Sequence, residues 1–368
     1  MYKVIKTKLK TTKKQEEFID GLIYLRKDMW NYLVENMNTR FKLKDFPKSS
    51  EIDRFLRGKF PTALASVLQS TRKDYEQAWR DVFSIKKRNE PRFHSWRKVN
   101  SLSINSNFNI VKKNKYHLTK DHKIRISEKV PELKRVDLAN VTFSRRAGKY
   151  YISITWKVPD EPATVSADGQ IGLDWGLDNF FTDNNGKVYN LPDRLFRQNQ
   201  RIRALQRVVS KKDREGQSKN WQKAQKKLSD AWCRLNNMKT DYIEKLTYNL
   251  LKQNELIAIE DLNMKGLIKR SNKNRRNKMI INSYGRVRSR LLSKKTRFTS
   301  EVFLVDTFFP SSQIDPFSGS RHHEMKDCTV KIMQCDNGTK LHRDQAAAMN
   351  ILNEARKQIA SMYEANIH

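Results

Sequence analysis

Three acidic residues stand in settings that suit chemistry. They are Asp174 in Ile171-Gly-Leu-Asp-Trp-Gly-Leu-Asp-Asn-Phe180, Glu260 in Leu256-Ile-Ala-Ile-Glu-Asp-Leu-Asn263, and Asp344 in His342-Arg-Asp-Gln-Ala-Ala-Ala-Met-Asn-Ile-Leu352. The first two end or interrupt apolar, strand-like runs, and the third opens a helix. Acids delivered from such distant parts of a chain can meet at one edge of a sheet. Clustered carboxylates repel one another unless a cation neutralises them, and hard oxygen ligands of this kind suit Mg²⁺ or Mn²⁺. A pair of such ions drives in-line phosphodiester cleavage, so the set points to metal-dependent nuclease chemistry. Plainer readings stand beside this one. Asp174 is compatible with a strand-end residue binding loop amides, and Asp344 with the N-cap of the final helix. Glu260 has less of an alternative, because an unpaired charge at the end of an apolar run is costly. Asp261 points the other way on a strand and is expected to cap a loop or pair with a base. Gly172 and Gly176 are read as openings that let metal and phosphate backbone approach.

The elements that must position these acids follow from periodicity. Tyr2 to Leu9 alternates as a half-buried strand does. Thr12-Lys-Lys-Gln15 reads as a capping box for a helix with Phe18, Leu22, Leu25, Met29 and Leu33 on one stripe. Further helices are expected from near Ser50 and near Pro61, the latter with Leu64, Leu68, Tyr75, Trp79 and Val82 inward. From Lys115 to Val158 the period becomes two, with a hairpin turn at Arg146-Ala-Gly148. Pro159 to Gly169 is a linker. Beyond it come a buried strand at Ile171–Trp175, a turn at Asn184-Asn-Gly186, and two long basic helices broken at Asp213-Arg-Glu-Gly216. Strands at 255–260 and 301–306 and a closing helix at 344–363 complete the order expected of an RNase H-like domain.

Composition narrows the partners. The 368-residue chain carries 74 Lys and Arg against 40 Asp and Glu, a net charge of +34. A surface that positive binds a polyanion, with an affinity that falls steeply with salt. No apolar run approaches the roughly 20 residues that span a bilayer, and the chain opens directly on a strand-like segment without a secretory signal. Cys233, Cys328 and Cys335 are the only cysteines, an odd number that argues against a disulfide framework. A prokaryotic cytoplasm or nucleoid fits.

With these residues in view, the chain resembles the TnpB family of transposon-encoded, RNA-guided nucleases, relatives of the compact type V CRISPR effectors. The resemblance is carried by Glu90-Pro-Arg-Phe93, Gly172-Leu-Asp-Trp-Gly176, Ser218-Lys-Asn220, Thr240-Asp-Tyr-Ile-Glu-Lys245, Ile259-Glu-Asp-Leu-Asn263, Tyr284-Gly-Arg through Lys294-Lys295, Pro310-Ser-Ser-Gln313 and Arg343-Asp-Gln-Ala-Ala-Ala-Met-Asn350. It places the family's catalytic, metal-binding carboxylates on Asp174, Glu260 and Asp344, with Mg²⁺ or Mn²⁺, two ions, as cofactor. It implies an α+β multidomain fold: an RNase H-like (RuvC) nuclease domain plus an N-terminal β-barrel-like wedge module with an inserted helical recognition bundle. The expected boundaries are 1–10 and 106–160 for the wedge and 11–105 for the recognition insert. The nuclease domain takes 161–300 and 341–368, and 301–340 holds its last strand and a target-binding insert. That insert departs from the family. Where two Cys-x-x-Cys pairs of a zinc ribbon are usual, this chain has Asp315-Pro-Phe-Ser318 and Gln334-Cys-Asp-Asn-Gly338. Structural zinc is therefore not expected, although Cys328, Cys335, His322, His323 and His342 remain candidates for an irregular site.

Candidate nucleic-acid contacts are Arg92, Trp96, Arg201, Lys219, Lys269, Arg270, Arg275, Arg276 and Arg286. Thirteen Lys and Arg and no acid fall between Leu262 and Ser300, and a one-signed run after a catalytic-type strand suits a guide for phosphates. Within it, 272–277 has the look of a mobile lid. His94 and Trp96 are read either as stacking partners for bases or as core. The resemblance implies an RNA-guided DNA endonuclease that acts on double-stranded DNA as one monomer per guide RNA. The alternative is an RNA-guided DNA-binding repressor without cleavage activity.

Overall fold

The computed structural model describes residues 2–86, 88–95, 99–104, 110–119, 121–159, 162–211 and 218–365. Trp96 and the expected break at 213–216 lie outside them. The chain divides into two units, Met1–Asp160 and Glu161–His368.

In the first unit, β1 (Tyr2–Lys10) leads into three helices, α1 (Lys13–Lys42), α2 (Ser49–Lys59) and α3 (Ala65–Ser84). The strands β2 (Ser101–Ile104), β3 (Ile110–Lys112), β4 (Lys115–His117), β5 (Lys123–Ile126), β6 (Leu138–Arg146) and β7 (Lys149–Lys157) follow. The capping box of α1 is present, with Thr12 accepting from Gln15 N–H and Gln15 accepting from Thr12 N–H. The seven strands form one sheet in the order β2-β6-β7-β1-β5-β4-β3. β1 is the pivot: Tyr2–Lys8 pair with β7, and Leu9 and Lys10 pair with β5. The β6–β7 turn takes Ala147 and Gly148 at φ 52° and 68°, the two left-handed positions a tight hairpin needs. Strand β2 pairs with β6, inside the stretch assigned to the helical insert. Helices and sheet share one core, in which Ile19, Leu33, Tyr75 and Trp79 belong to the same cluster as Leu102, Ile152 and Ile154. Asp20 of α1 ties the layers together by accepting from Arg145 at 2.7 Å and from the Tyr150 hydroxyl at 2.9 Å.

The second unit begins with β8 (Gly169–Asp174), β9 (Phe181–Asp183) and β10 (Val188–Tyr189). Two long helices, α4 (Asp193–Ser210) and α5 (Lys219–Gln253), precede β11 (Asn254–Glu260). Then come α6 (Met264–Arg270), α7 (Lys273–Asn282), α8 (Tyr284–Lys294), β12 (Glu301–Val305), β13 (Ile332–Gln334), β14 (Lys340–His342) and α9 (Arg343–Ala365). The main sheet runs β10-β9-β8-β11-β12; its first three strands are antiparallel, and β11 and β12 run parallel to β8. Strand β11 is apolar on both faces because both are covered. Ile257 and Ile259 face a core shared with Leu235, Ile243, Val287 and Leu291 of α5 and α8, whereas Leu256 and Ala258 face Ile351, Leu352 and Ala355 of α9.

The 272–277 segment is helical: Asn272 caps α7, its side chain accepting from Arg275 N–H. Two expectations are corrected here. Asp344 is not an N-cap but lies in the first turn of α9, which begins at Arg343. Gly172 does not open a path for metal or phosphate. A Cβ there would stand 2.1 Å from the Ala348 carbonyl oxygen and 2.9 Å from Leu352 Cβ, so the glycine exists to let α9 lie on the sheet. Gly176 likewise serves a tight turn, where a Cβ would meet the Asn179 carbonyl at 2.7 Å. All three cysteines are free thiols, and no helix among the described residues is long and apolar enough to cross a membrane.

Candidate active site

The parallel pairing of β8 with β11 sets Gly172 beside Ala258 and Leu173 beside Ile259. Continuing that register puts Asp174 and Glu260 side by side at the strand ends. Helix α9 packs on the same two strands through Ala348 and Leu352, which brings Asp344 in its first turn to the same edge. Burial raises Asp174 well above the usual carboxylate range, and repulsion from Glu260 and then Asp344 adds to the shift. Arg343 and the Trp175 N–H pull the other way without cancelling it. Glu260 is also raised, by burial, against one opposing hydrogen bond from Ser311. Asp174 thus feels the charge of both other carboxylates. The three carboxylates do not close into a compact ligand cluster. Among the described residues, the one group of three His, Cys, Asp or Glu whose ligand atoms all lie within 4.8 Å is Asp315, His322 and Asp336.

The supporting residues are ones to which sequence reasoning assigns no role. Ser311 Oγ donates to Glu260 Oε1 at 2.8 Å. The turn that carries Ser311 is anchored by Asn350 of α9, whose amide donates to the Ser311 carbonyl at 2.8 Å and to the Ile314 carbonyl at 2.6 Å. Arg343 reaches Ser312 Oγ at 3.0 Å and the Asp327 carbonyl at 2.7 Å. The Tyr284 hydroxyl donates to the Glu260 carbonyl, and its ring packs beside Trp175 and Phe181. Asn282, the last residue of α7, donates to the Gly176 carbonyl at 3.2 Å. The strand ends bearing Asp174 and Glu260 are therefore held from α8 and from the turn after β12 at once. The signal available in the sequence is membership in the stretches Tyr284-Gly-Arg, Pro310-Ser-Ser-Gln313 and Arg343–Asn350. Asp261 pairs with Arg288 at 2.8 Å, the base-pairing role expected for it.

The candidate nucleic-acid residues fall in several places. Arg201 lines a cleft of about 390 Å³ with Arg194 and Arg197 of α4 and Arg234 of α5. Lys219 is exposed in the first turn of α5. Lys269, Arg270 and Arg275 are exposed on α6 and α7 with no ion pair among the described residues, while Arg276 donates to the Ile268 and Ser271 carbonyls. Arg286 is exposed and donates to Thr240 Oγ1 at 3.1 Å. In the first unit Arg92 is exposed, but its carbonyl accepts from Trp30 Nε1. His94 is a packing residue: its ring stacks on Trp30 at 4.6 Å, and Asn31 brackets its backbone N–H and carbonyl. Of the candidates for irregular zinc, Cys335 is buried in an apolar cluster with Met325, Met333 and Ala346. Cys328, His323 and His342 are absent from the one close ligand group.

Residues 153–271 match the OrfB_IS605 family, described as a probable transposase. Two relatives carry the name "Putative RNA-guided DNA endonuclease", the second with the suffix InsQ. One, from Streptomyces pristinaespiralis, is 30% identical over 232 residues, 62% of this chain and 55% of the relative. The other, from Escherichia coli K12, is 34% identical over 131 residues, 35% of this chain and 32% of the relative. The chain thus spans about half or less of the length of these relatives. In fold it is similar to the cryo-EM structure of a Cas12f1–sgRNA–target DNA complex, with a TM-score of 0.52 at 13% identity, covering 96% of this chain and 99% of that one. The fold is a multidomain α+β fold, and in sequence the chain resembles proteins named as RNA-guided DNA endonucleases.

Proposed function

We propose that this chain is an RNA-guided DNA endonuclease of the TnpB type, cleaving target DNA by two-metal-ion phosphodiester hydrolysis at a RuvC-like Asp-Glu-Asp site. The observation that carries the reading is the convergence of Asp174, Glu260 and Asp344 at one sheet edge, where Asp174 and Glu260 have raised affinities for protons. The strand order β10-β9-β8-β11-β12 supports an RNase H-like fold for the second unit. In the first unit, 1–10 and 106–160 would be the wedge and 11–105 the recognition insert. Residues 301–340 would contribute the last strand of the nuclease domain and a target-binding insert.

The donor set fits hard divalent cations: three carboxylates, no thiol, and charge that burial leaves uncompensated. Asp174, Glu260 and Asp344 would hold Mg²⁺ or Mn²⁺, which when bound supplies an activated water and charge neutralisation at the leaving oxygen. Ser311 occupies one oxygen of Glu260 and leaves Oε2 for a ligand role. Arg343 and the Trp175 N–H favour the ionised form of Asp174, the form a cation needs, and partial exposure of Asp344 leaves it open to incoming substrate. The Arg194, Arg197, Arg201 and Arg234 cleft suits phosphates of a nucleic-acid backbone, and specificity would come from guide pairing. The test is to purify the protein with its RNA, sequence that RNA, and challenge plasmids with and without the matching target. Cleavage confined to the matching plasmid is expected. Cleavage indifferent to the match, or purification free of RNA, would contradict the guided reading.

A further inference from the structure

The insert between β12 and α9 stands where the resemblance implies a zinc ribbon, and its residues do not fit that ion: its one close ligand group among the described residues, Asp315, His322 and Asp336, has no thiolate, and hydrogen bonds already engage all three. Of the positions in its two former pairs, Asp315, Ser318 and Cys335 present one carboxylate, one hydroxyl and one thiol. The thiol lies in the apolar cluster with Met325 and Met333, where burial, and then Asp315 and Asp336, push it above its ordinary pKa. Ser318 Oγ donates to the Asp336 carboxylate. Asp315 is wholly buried, and both its oxygens are engaged. Oδ1 accepts from Phe317 N–H at 2.8 Å and Ser318 N–H at 3.4 Å, and Oδ2 accepts from Asp336 N–H at 2.6 Å.

These bonds reproduce what a metal does in such an insert: one buried centre grips both knuckles. Asp315 and Ser318 come from the first knuckle and Asp336 from the second. Backbone pairing completes each turn, with Gly319 N–H on the Asp315 carbonyl and Gly338 N–H on the Cys335 carbonyl. A second layer crosses between them, as Ser318 and Ser320 both donate to Asp336 and His322 Nε2 lies 3.2 Å from it. His322 N–H also donates to the Gln313 carbonyl at 2.7 Å, which joins the closure to the turn bearing Ser311. Burial would raise Asp315, but the N–H groups of Asp336, Phe317 and Ser318 outweigh it and hold the carboxyl below its usual range. An ionised carboxylate accepting several N–H bonds is a strong, geometrically fixed centre.

We propose that the Asp315 carboxylate closes this insert in place of a metal ion, making it a ribbon-like module that folds without zinc. The proposal concerns the fold of the insert and stands independently of the nuclease reading. Its test uses the full chain, dialysed against zinc chloride, desalted and analysed for metal, with hydrogen exchange followed in peptides covering 315–320 and 334–338. The wild type is expected to retain no zinc and to keep protection in both peptides when a strong chelator is present. Asp315→Asn keeps an acceptor for Phe317 and Ser318 but turns an amide toward Asp336 N–H. It should exchange roughly ten-fold faster at 334–338 while 315–320 stays protected. Asp315→Ala should lose protection in both. One zinc per chain, protection that the chelator abolishes, or an Asp315→Ala variant protected like wild type would each overturn the proposal.

Discussion

The sharpest steric dependence of the site is on Gly172. Its missing side chain lets the Ala348 carbonyl approach to 2.1 Å from where a Cβ would sit, and ordinary contact begins at 3.4 Å. Gly172→Ala therefore asks α9 to withdraw by about 1.3 Å, the difference between those two distances, because the obstructing atom is helix backbone and has no rotamer to adopt. Overpacking of this kind costs about 1–3 kcal/mol. The displacement falls on the helix whose first turn carries Asp344 and leaves β8, with Asp174, in place. A misplacement of about 1 Å among reacting groups costs on the order of 100-fold in rate. The expected result is a folded protein with a lowered melting temperature and cleavage slowed by roughly two orders of magnitude. The control is Gly285→Ala, where an added Cβ meets nothing within 4 Å; it should leave cleavage unchanged and should not lower the melting temperature. Melting curves and single-turnover cleavage on the two variants decide the matter. Wild-type melting and wild-type cleavage in Gly172→Ala would refute the packing argument.

Other consequences can be checked separately. Ser311→Ala removes the one hydrogen bond that lowers the Glu260 pKa, so Glu260 should rise further and the acid limb of the pH–rate profile should move to higher pH; an unmoved limb would deny Ser311 this role. Asp174 and Glu260 both have raised folded pKa values, so in the metal-free protein the stability these two groups contribute is fully present below the ordinary carboxylate range and is lost as pH rises through the folded values. In EDTA at neutral pH, Asp174→Asn should therefore melt higher than wild type, by roughly 2–4 °C for each kcal/mol relieved. Mg²⁺ at a hundred times its dissociation constant should stabilise wild type by about 2.7 kcal/mol and the variant by much less; equal gains would argue against a metal on Asp174. Replacing Arg194, Arg197 and Arg201 together by Gln should reduce the salt dependence of nucleic-acid binding by about 0.9 in log–log slope for each phosphate no longer neutralised, and an unchanged slope would remove that cleft from the interface.

The carboxylates are legible in the sequence because each follows a local rule. Asp174 and Glu260 end short apolar runs, and β11 reads as strand because both its faces are covered. The supporting residues are not legible, because their bonds cross long stretches of chain. Ser311 meets Glu260 across 51 residues and His94 meets Asn31 across 63, and no periodicity reports such pairings. The role of Gly172 is hidden for the same reason: a glycine beside a candidate acid suggests room for a ligand, whereas here the room is taken by α9. Strands β2 and β3 leave little pattern because they are four and three residues long. The β3–β4 turn also uses Lys113 and Asn114 at positive φ, without the glycine that marks a hairpin. The helical form of α7 leaves no signal because Lys273-Asn-Arg-Arg-Asn-Lys278 offers no apolar spacing, and its cap, Asn272, is equally a turn residue.

The most direct test of the central claim is single-turnover cleavage of a guide-matched plasmid by the protein purified with its RNA, in Mg²⁺ and in EDTA, beside Asp174→Ala. The account predicts cutting only by the wild type and only with Mg²⁺, while target binding survives in the variant. Tight, guide-dependent binding with no cutting by the wild type in Mg²⁺ would contradict it and leave a DNA-binding repressor as the function of this fold.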